Sequence, residues 1–201
     1  MNKDHYISTY CIIRNQQIIR DGQVLYADEE GDFPTFIKAA YKHLHMDYPK
    51  FYKMDNLSKL GLIAAEVLLN QEEDKSDIAL VLANRSGSLD TDVRHQESIQ
   101  QTENYFPSPA IFVYTLANIC AGEISIRHGL QSENAFFVSD EWDGDTMVSY
   151  ASYLLQSGKA KQVLCGWLEL FSDKYQAVLY LVGQKGTLPH QAEQIEQLFL
   201  K

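Results

Sequence analysis

The chain has 201 residues, 45% of them hydrophobic, with 17 Lys and Arg against 27 Asp and Glu for a formal net charge of −10. That length supports one sizeable core, and the absence of a basic run argues against nucleic acid, whose binding rests on clustered Lys and Arg. No window reaches the roughly 18 apolar residues of a membrane span, and the N-terminal Met-Asn-Lys-Asp-His lacks an apolar leader core, so a cytoplasmic protein with no membrane contact is expected. Cys11, Cys120 and Cys165 form no CxxC pair and each lies in an apolar segment, as small core residues of a reducing compartment do.

Tyr6 to Ile13 reads as a strand, followed by a polar break at Arg14 and Asn15, a run through Ile18 and Ile19, an Asp21-Gly22 turn and Val24 to Tyr26, which together make a hairpin region. Asp32 is placed to cap a helix with Pro34 in its first turn and Phe33, Phe36, Ile37, Ala40, Tyr41 and Leu44 on one face. Asn56 opens a second helix through Leu57, Leu60, Ala64, Val67 and Leu68, ending near Asn70. Ile78 to Ala83 reads as a buried strand, Asn84 to Ser88 as a turn, and Thr91 to Glu103 as a surface helix or lid. After Pro107 and Pro109 the pattern predicts one helix from about Phe112 to His128, ended by Gly129. Asn134 to Ser139 then reads as a strand, buried over Ala135 to Val138. A helix from Thr146 to Gly158 follows, then strands at Gln162 to Gly166 and Val178 to Gly183, and a short amphipathic helix after Pro189. This alternation predicts a single-domain α/β fold over residues 1–201: a mostly parallel mixed sheet with helices on both faces.

Several segments, taken in order over roughly residues 50 to 185, resemble the N-terminal half of the beta-ketoacyl synthases, condensing enzymes of the thiolase-like fold. Met54 to Ala65 is similar to the family's early helix, and Ala79-Leu80-Val81-Leu82-Ala83-Asn84-Arg85-Ser86-Gly87-Ser88 to its strand and glycine turn. The strongest match is Asn118-Ile119-Cys120-Ala121-Gly122-Glu123-Ile124-Ser125-Ile126-Arg127-His128-Gly129-Leu130. The resemblance implies a thiolase-like half-fold. It also implies that the turn after Asn134 to Ser139 is where a synthase carries its acyl-accepting Cys at a helix N-terminus, which stabilises the thiolate. Counting from Asn134 puts Glu141 at that position, and an acylated carboxylate would be a mixed anhydride that hydrolyses. The family's two His and its Lys, expected from a C-terminal half, have no counterparts among the six His of this chain.

Asp140, Glu141, Asp143 and Asp145 invite a metal or an acid–base reading, yet they lack the D-x-D-x-D-G order of a calcium loop, and adjacent turn residues diverge. Capping by Asp143 or Asp145 accounts for much of the cluster, and no metal or cofactor is expected. Asn84, Arg85 and Ser86 lie where ligands gather in such folds, but a solvated turn is the simpler reading. Met147, Val148, Tyr150, Ala151, Tyr153, Leu154 and Leu155 cover most of a helix circumference. That helix is expected to be buried on all sides, or to leave an exposed patch for a partner.

The resemblance therefore implies a non-catalytic ketosynthase-like subunit of fatty-acid or polyketide-type biosynthesis, similar to a chain-length factor. It would form a homodimer, or a heterodimer with a complete ketosynthase, and would meet an acyl carrier protein. Its acyl tunnel would be lined by Phe112, Ile119, Phe136, Phe137 and Trp142. A composite synthase site shared with a partner, or an acyl or carrier-protein binding module, are the alternatives.

Overall fold

The computed structural model describes residues 4–28, 31–70, 72, 74–100 and 107–200. The chain opens as an antiparallel meander of β1 (Tyr6–Arg14), β2 (Gln17–Arg20) and β3 (Gln23–Ala27). Its second turn is pinned by the Asp21 carboxylate, which accepts from the Tyr10 amide at 2.8 Å and the Thr9 hydroxyl at 2.8 Å. Helix α1 (Phe33–His43) is capped by Asp32, which accepts from the Thr35 amide, and α2 (Asn56–Leu69) by Asp55, which accepts from the Ser58 amide. Each cap satisfies an amide that the first helical turn leaves without a partner.

Strand β4 (Ile78–Asn84) is buried throughout and leads through a turn into α3 (Leu89–Ile99). Residues 101–103 of the surface helix expected there lie outside the described residues. The single helix expected from Phe112 to His128 is broken into α4 (Pro109–Phe112), a 3-10 turn over Val113–Thr115, and α5 (Ile119–His128), with a 99° bend between the two arms. The break falls where Leu116 becomes extended (φ −109°, ψ 119°) and Asn118 restarts the chain. Gly129 ends α5 in the left-handed region (φ 68°), as its position predicted. No single helix among the described residues is long and apolar enough to cross a membrane.

The remaining elements are β5 (Asn134–Val138), α6 (Gly144–Gln156), β6 (Gln162–Phe171), β7 (Lys174–Gly183), β8 (Leu188–Pro189) and α7 (Ala192–Leu200). The strands form one mixed eight-stranded sheet in the order β3-β2-β1-β7-β6-β4-β5, with β8 pairing β1. The α/β class with helices on both faces is as expected, but parallel pairing is confined to β4 with β5 and β4 with β6. The other pairs are antiparallel because β6 continues to Phe171 and returns directly as β7, with no crossover helix between them.

Alternation sorts each strand between two cores. Leu80 and Leu82 of β4, with Leu179 and Leu181 of β7, face α1, α2 and α5. Ala79, Val81 and Ala83, with Val178, Tyr180 and Val182, face α6 and α7. A bulge between Ile7 and Thr9 lets Ile7, Tyr10 and Ile12 share the second face despite their uneven spacing. Gly61 lets α2 lie close to the sheet, since a Cβ there would meet Leu168 Cδ1 at 2.8 Å.

One expectation of burial fails, and a second resolves toward exposure. Strand β5 is the sheet's edge and none of its residues is buried, because no strand among the described residues pairs with its outer side. Helix α6 buries only Gly144, Met147, Ala151 and Leu154. Its aromatic residues reach water through their polar tips instead: the Tyr150 hydroxyl donates to Glu133 at 2.7 Å, and Lys159 Nζ lies over the Tyr153 ring at 5.1 Å. Helix α7 packs beside α6 and covers part of the second core with Ile195, Leu198 and Phe199.

Candidate functional site

The C-terminal ends of the parallel strands β4, β5 and β6 meet the turn that runs from Ser139 into α6, the place where ligands gather in sheets of this kind. Four carboxylates stand along it, Asp140, Glu141, Asp143 and Asp145, all exposed. Asp143 is the cap: its Oδ1 accepts from the Thr146 amide at 3.0 Å and its Oδ2 from the Thr146 hydroxyl at 2.6 Å. Those bonds hold its carboxyl below the usual carboxylate range. The positive end of α6 is thereby already engaged by a side-chain anion. Glu141, at the position expected for a nucleophile, contributes its main-chain carbonyl as acceptor for the Ser139 hydroxyl at 2.9 Å.

Two concavities flank the turn. One of about 390 Å³ is lined by Ser139 to Asp145 with Ala192 and Glu196 of α7. The other, of about 130 Å³, is lined by Ala83, Phe137, Val138, Ser139, Asp143, Thr146 and Met147. Neither lining contains a Cys, His, Lys or Arg. A further concavity, of about 580 Å³ and lined in part by Asp77, Gly158, Lys161 and Gln162, lies at the N-terminal ends of β4 and β6, away from this turn. Cys11, Cys120 and Cys165 are free thiols buried in the core, and burial pushes all three up, away from the reactive thiolate. Among the described residues no group of three or more His, Cys, Asp and Glu is arranged to hold a metal ion.

The sheet divides the five expected tunnel residues. Ile119 and Phe136 pack against the first core, whereas Phe137 and Trp142 pack against the second. Phe112 is exposed on α4, with its ring centroid 5.5 Å from that of His95. Adjacent residues of a strand point to opposite faces, so Phe136 and Phe137 cannot line one cavity from the same strand. Trp142 lies between the rings of Trp167, at 6.2 Å, and Phe199 of α7, at 5.1 Å, and its Nε1 is buried without a partner.

Glu169 is a residue that sequence reasoning missed. Its Oε2 accepts from the Arg85 amide at 2.8 Å and the Ser86 amide at 3.2 Å, and its Oε1 accepts from the Ser86 hydroxyl. Asn84 closes the same turn by exchanging two 2.9 Å bonds with Gly87. The turn after β4 is thus held by the chain's own carboxylate, and its main-chain donors are spent internally.

No family model and no curated protein matches the chain. Solved structures do. The ishigamide ketosynthase/chain length factor superposes with a TM-score of 0.67 at 19% identity, over 90% of this chain and 62% of its own. A ketosynthase in complex with its chain length factor from Xenorhabdus doucetiae gives 0.60 at 15% identity, over 97% of this chain and 90% of the matched one. A type II polyketide synthase acyl carrier protein in complex with its ketosynthase bound to the hexaketide gives 0.62 at 14% identity, over 90% and 62%. The chain therefore spans about three fifths of the first and third and nearly all of the second. At these identities the likeness is one of fold, and the fold is the thiolase-like one of ketosynthases.

Proposed function

We propose that this chain is a non-catalytic, ketosynthase-like subunit that assembles with a complete condensing enzyme in fatty-acid or polyketide-type synthesis, as a chain length factor does. One observation carries this reading: the helix N-terminus where a synthase would activate its thiol is capped by Asp143 and ringed by Asp140, Glu141 and Asp145, with no Cys, His, Lys or Arg lining either adjacent concavity. A thiol placed there would be held protonated by the surrounding carboxylates, and no His lines either adjacent concavity to take the proton.

The surface supports an assembled state. Phe112, Val113, Leu116, Ile126 and Val138 are each at least 50% exposed, and Val138 ends β5, whose outer side no described strand pairs. An open edge strand bordered by apolar side chains is a pairing liability unless another chain covers it. A ketosynthase is the partner this reading assigns, and an acyl carrier protein would meet the assembly rather than this chain alone.

Co-expression with a complete ketosynthase from the same genome tests the reading, with sedimentation of the product. A stable 1:1 complex is expected, and Leu116→Asp with Ile126→Asp should abolish it while the subunit stays folded by circular dichroism. A wild-type chain that sediments as a monomer beside every such ketosynthase would overturn the assignment.

A further inference from the structure

After β7 the chain turns back across the start of its first strand as a strap running from Gly186 to Leu200. It passes so close that a Cβ at Gly186 would collide with the Ile7 carbonyl. The Thr187 amide donates to that carbonyl at 3.0 Å, β8 pairs Leu188 with Ile7 and Pro189 with Tyr6, and the His190 amide donates to the His5 carbonyl at 2.9 Å. Helix α7 then buries Ile195 and Leu198 in the second core and sets the Phe199 ring 5.1 Å from that of Trp142. Arg14 adds one bond, to the Phe199 carbonyl at 2.8 Å. The attachment is slight: β8 contributes two residue pairs to the sheet, against seven between β1 and β7.

One imidazole sits at the joint between β8 and α7. His190 is 6% exposed, and neither of its ring nitrogens has a hydrogen-bond partner. Nothing packed around it supplies a counter-charge. His5, on the N-terminal segment, is a second imidazole that opposes the proton, with the exposed Asp4 acting on His5. The Tyr180 ring of β7 lies 5.7 Å away, and its hydroxyl is beside the Cys165 thiol of β6. On α7, Glu193 and Glu196 are exposed, and Glu196 faces the acidic turn of Asp140, Glu141, Asp143 and Asp145 across their shared concavity. Among the described residues no salt bridge reaches His190.

We propose that the strap is an acid-released latch: a proton on His190 frees β8 and α7 from the sheet while β1 to β7 stay folded, uncovering the face that holds Trp142 and Trp167. A charge with no partner in that setting is relieved most cheaply by moving the segment that carries it, and weakly attached segments open without the rest of a fold. Burial and His5 hold the docked imidazole at about 4, below its ordinary 6.5. The undocked form binds the proton more tightly, so docking is full above pH 6.5 and weakens as pH falls toward 4, by up to about 300-fold. The latch does not depend on assembly with a ketosynthase.

Trp142 and Trp167 are the two tryptophans of the chain, and both pack in the core that α7 covers, so the intrinsic fluorescence of the full chain reports the strap. A reversible red shift is expected with its midpoint between pH 6.5 and 4, while far-UV circular dichroism loses no more than one short helix. His190→Phe should remove the red shift from that window. In the unmodified chain, amide exchange protection, corrected for the intrinsic rate at each pH, should fall over residues 192–200 and hold in β1, β6 and β7. Emission that stays constant to pH 4, a red shift that survives in His190→Phe, or protection lost uniformly across the sheet would overturn the proposal.

Discussion

The two faces of the sheet solve the same packing problem differently. Beneath α2 and α5, several polar groups at the rim of the first core are paired, although His128 Nε2 has no hydrogen-bond partner. Arg127 donates to both Glu66 oxygens, at 3.1 and 2.9 Å, and stacks over Tyr48. The Tyr114 hydroxyl donates to Glu123 at 3.0 Å, and Lys50 meets the other Glu123 oxygen at 2.7 Å. Asp55, raised by burial, still receives bonds from Ser58 and Thr91. Beneath α6 and α7 both His190 ring nitrogens and Trp142 Nε1 have no hydrogen-bond partner, and the buried Tyr180 hydroxyl has only the Cys165 thiol beside it. Unpaired buried polar atoms cost free energy that paired ones return, and α7 is held by apolar contact together with one bond, from Arg14 to the Phe199 carbonyl at 2.8 Å.

Arg127→Ala should break this contrast most severely. It strands the Glu66 carboxylate, 8% exposed, without its bidentate partner and should cost about 3 to 5 kcal/mol in urea unfolding. Glu66→Gln with Arg127→Met should recover much of that loss, since it removes the charge along with its partner. A single-variant loss below about 1 kcal/mol would show that the first face is not held by this pair.

Acid should act on both faces. Burial lowers His128 to about 4, against the pull of Glu66, whose Oε2 lies 3.6 Å from Nε2 but is already engaged by Arg127; Lys75 and Arg127 oppose the proton as well. His190 is lowered to about 4 by burial and by His5 beside it, with the Tyr180 ring centroid 5.7 Å away. Both residues are neutral in the folded chain where the unfolded chain binds protons, so stability is full above pH 6.5 and is lost as pH falls toward 4. The loss reaches at most about 3 kcal/mol per histidine. His190→Phe should flatten roughly half of this slope, measured by unfolding at a series of pH values. An unchanged slope would place the titration elsewhere.

The sequence pattern revealed the elements better than their surroundings. The cap at Asp32, a cap at Asp143 or Asp145, the Gly129 stop and the strand at Ile78 were legible because each depends on residues close in the chain. Strand β5 and helix α6 were read as buried because their residues are apolar on more than one side, which states that they want cover and not which molecule provides it. The expected tunnel residues are divided by the sheet for a local reason, the opposite facing of Phe136 and Phe137. Glu169 was hidden by distance, since it lies more than 80 residues from the turn it holds.

The smallest expected effect is the most discriminating between the two faces. Tyr180 is the largest fully buried side chain, and its hydroxyl lies beside the Cys165 thiol, a weak partner that leaves the oxygen without a hydrogen bond of ordinary geometry. Tyr180→Phe removes that oxygen and keeps the ring, so the change should be within about 1 kcal/mol of neutral and on the stabilising side. Tyr114→Phe on the first face also deletes one hydroxyl, but it removes a bond that Glu123 accepts in a buried setting and should destabilise by about 1 to 2 kcal/mol. Opposite signs for these two chemically identical substitutions would establish that the faces differ in polar satisfaction. Equal losses would mean that Tyr180 has a partner after all, and that the second core is as specifically held as the first.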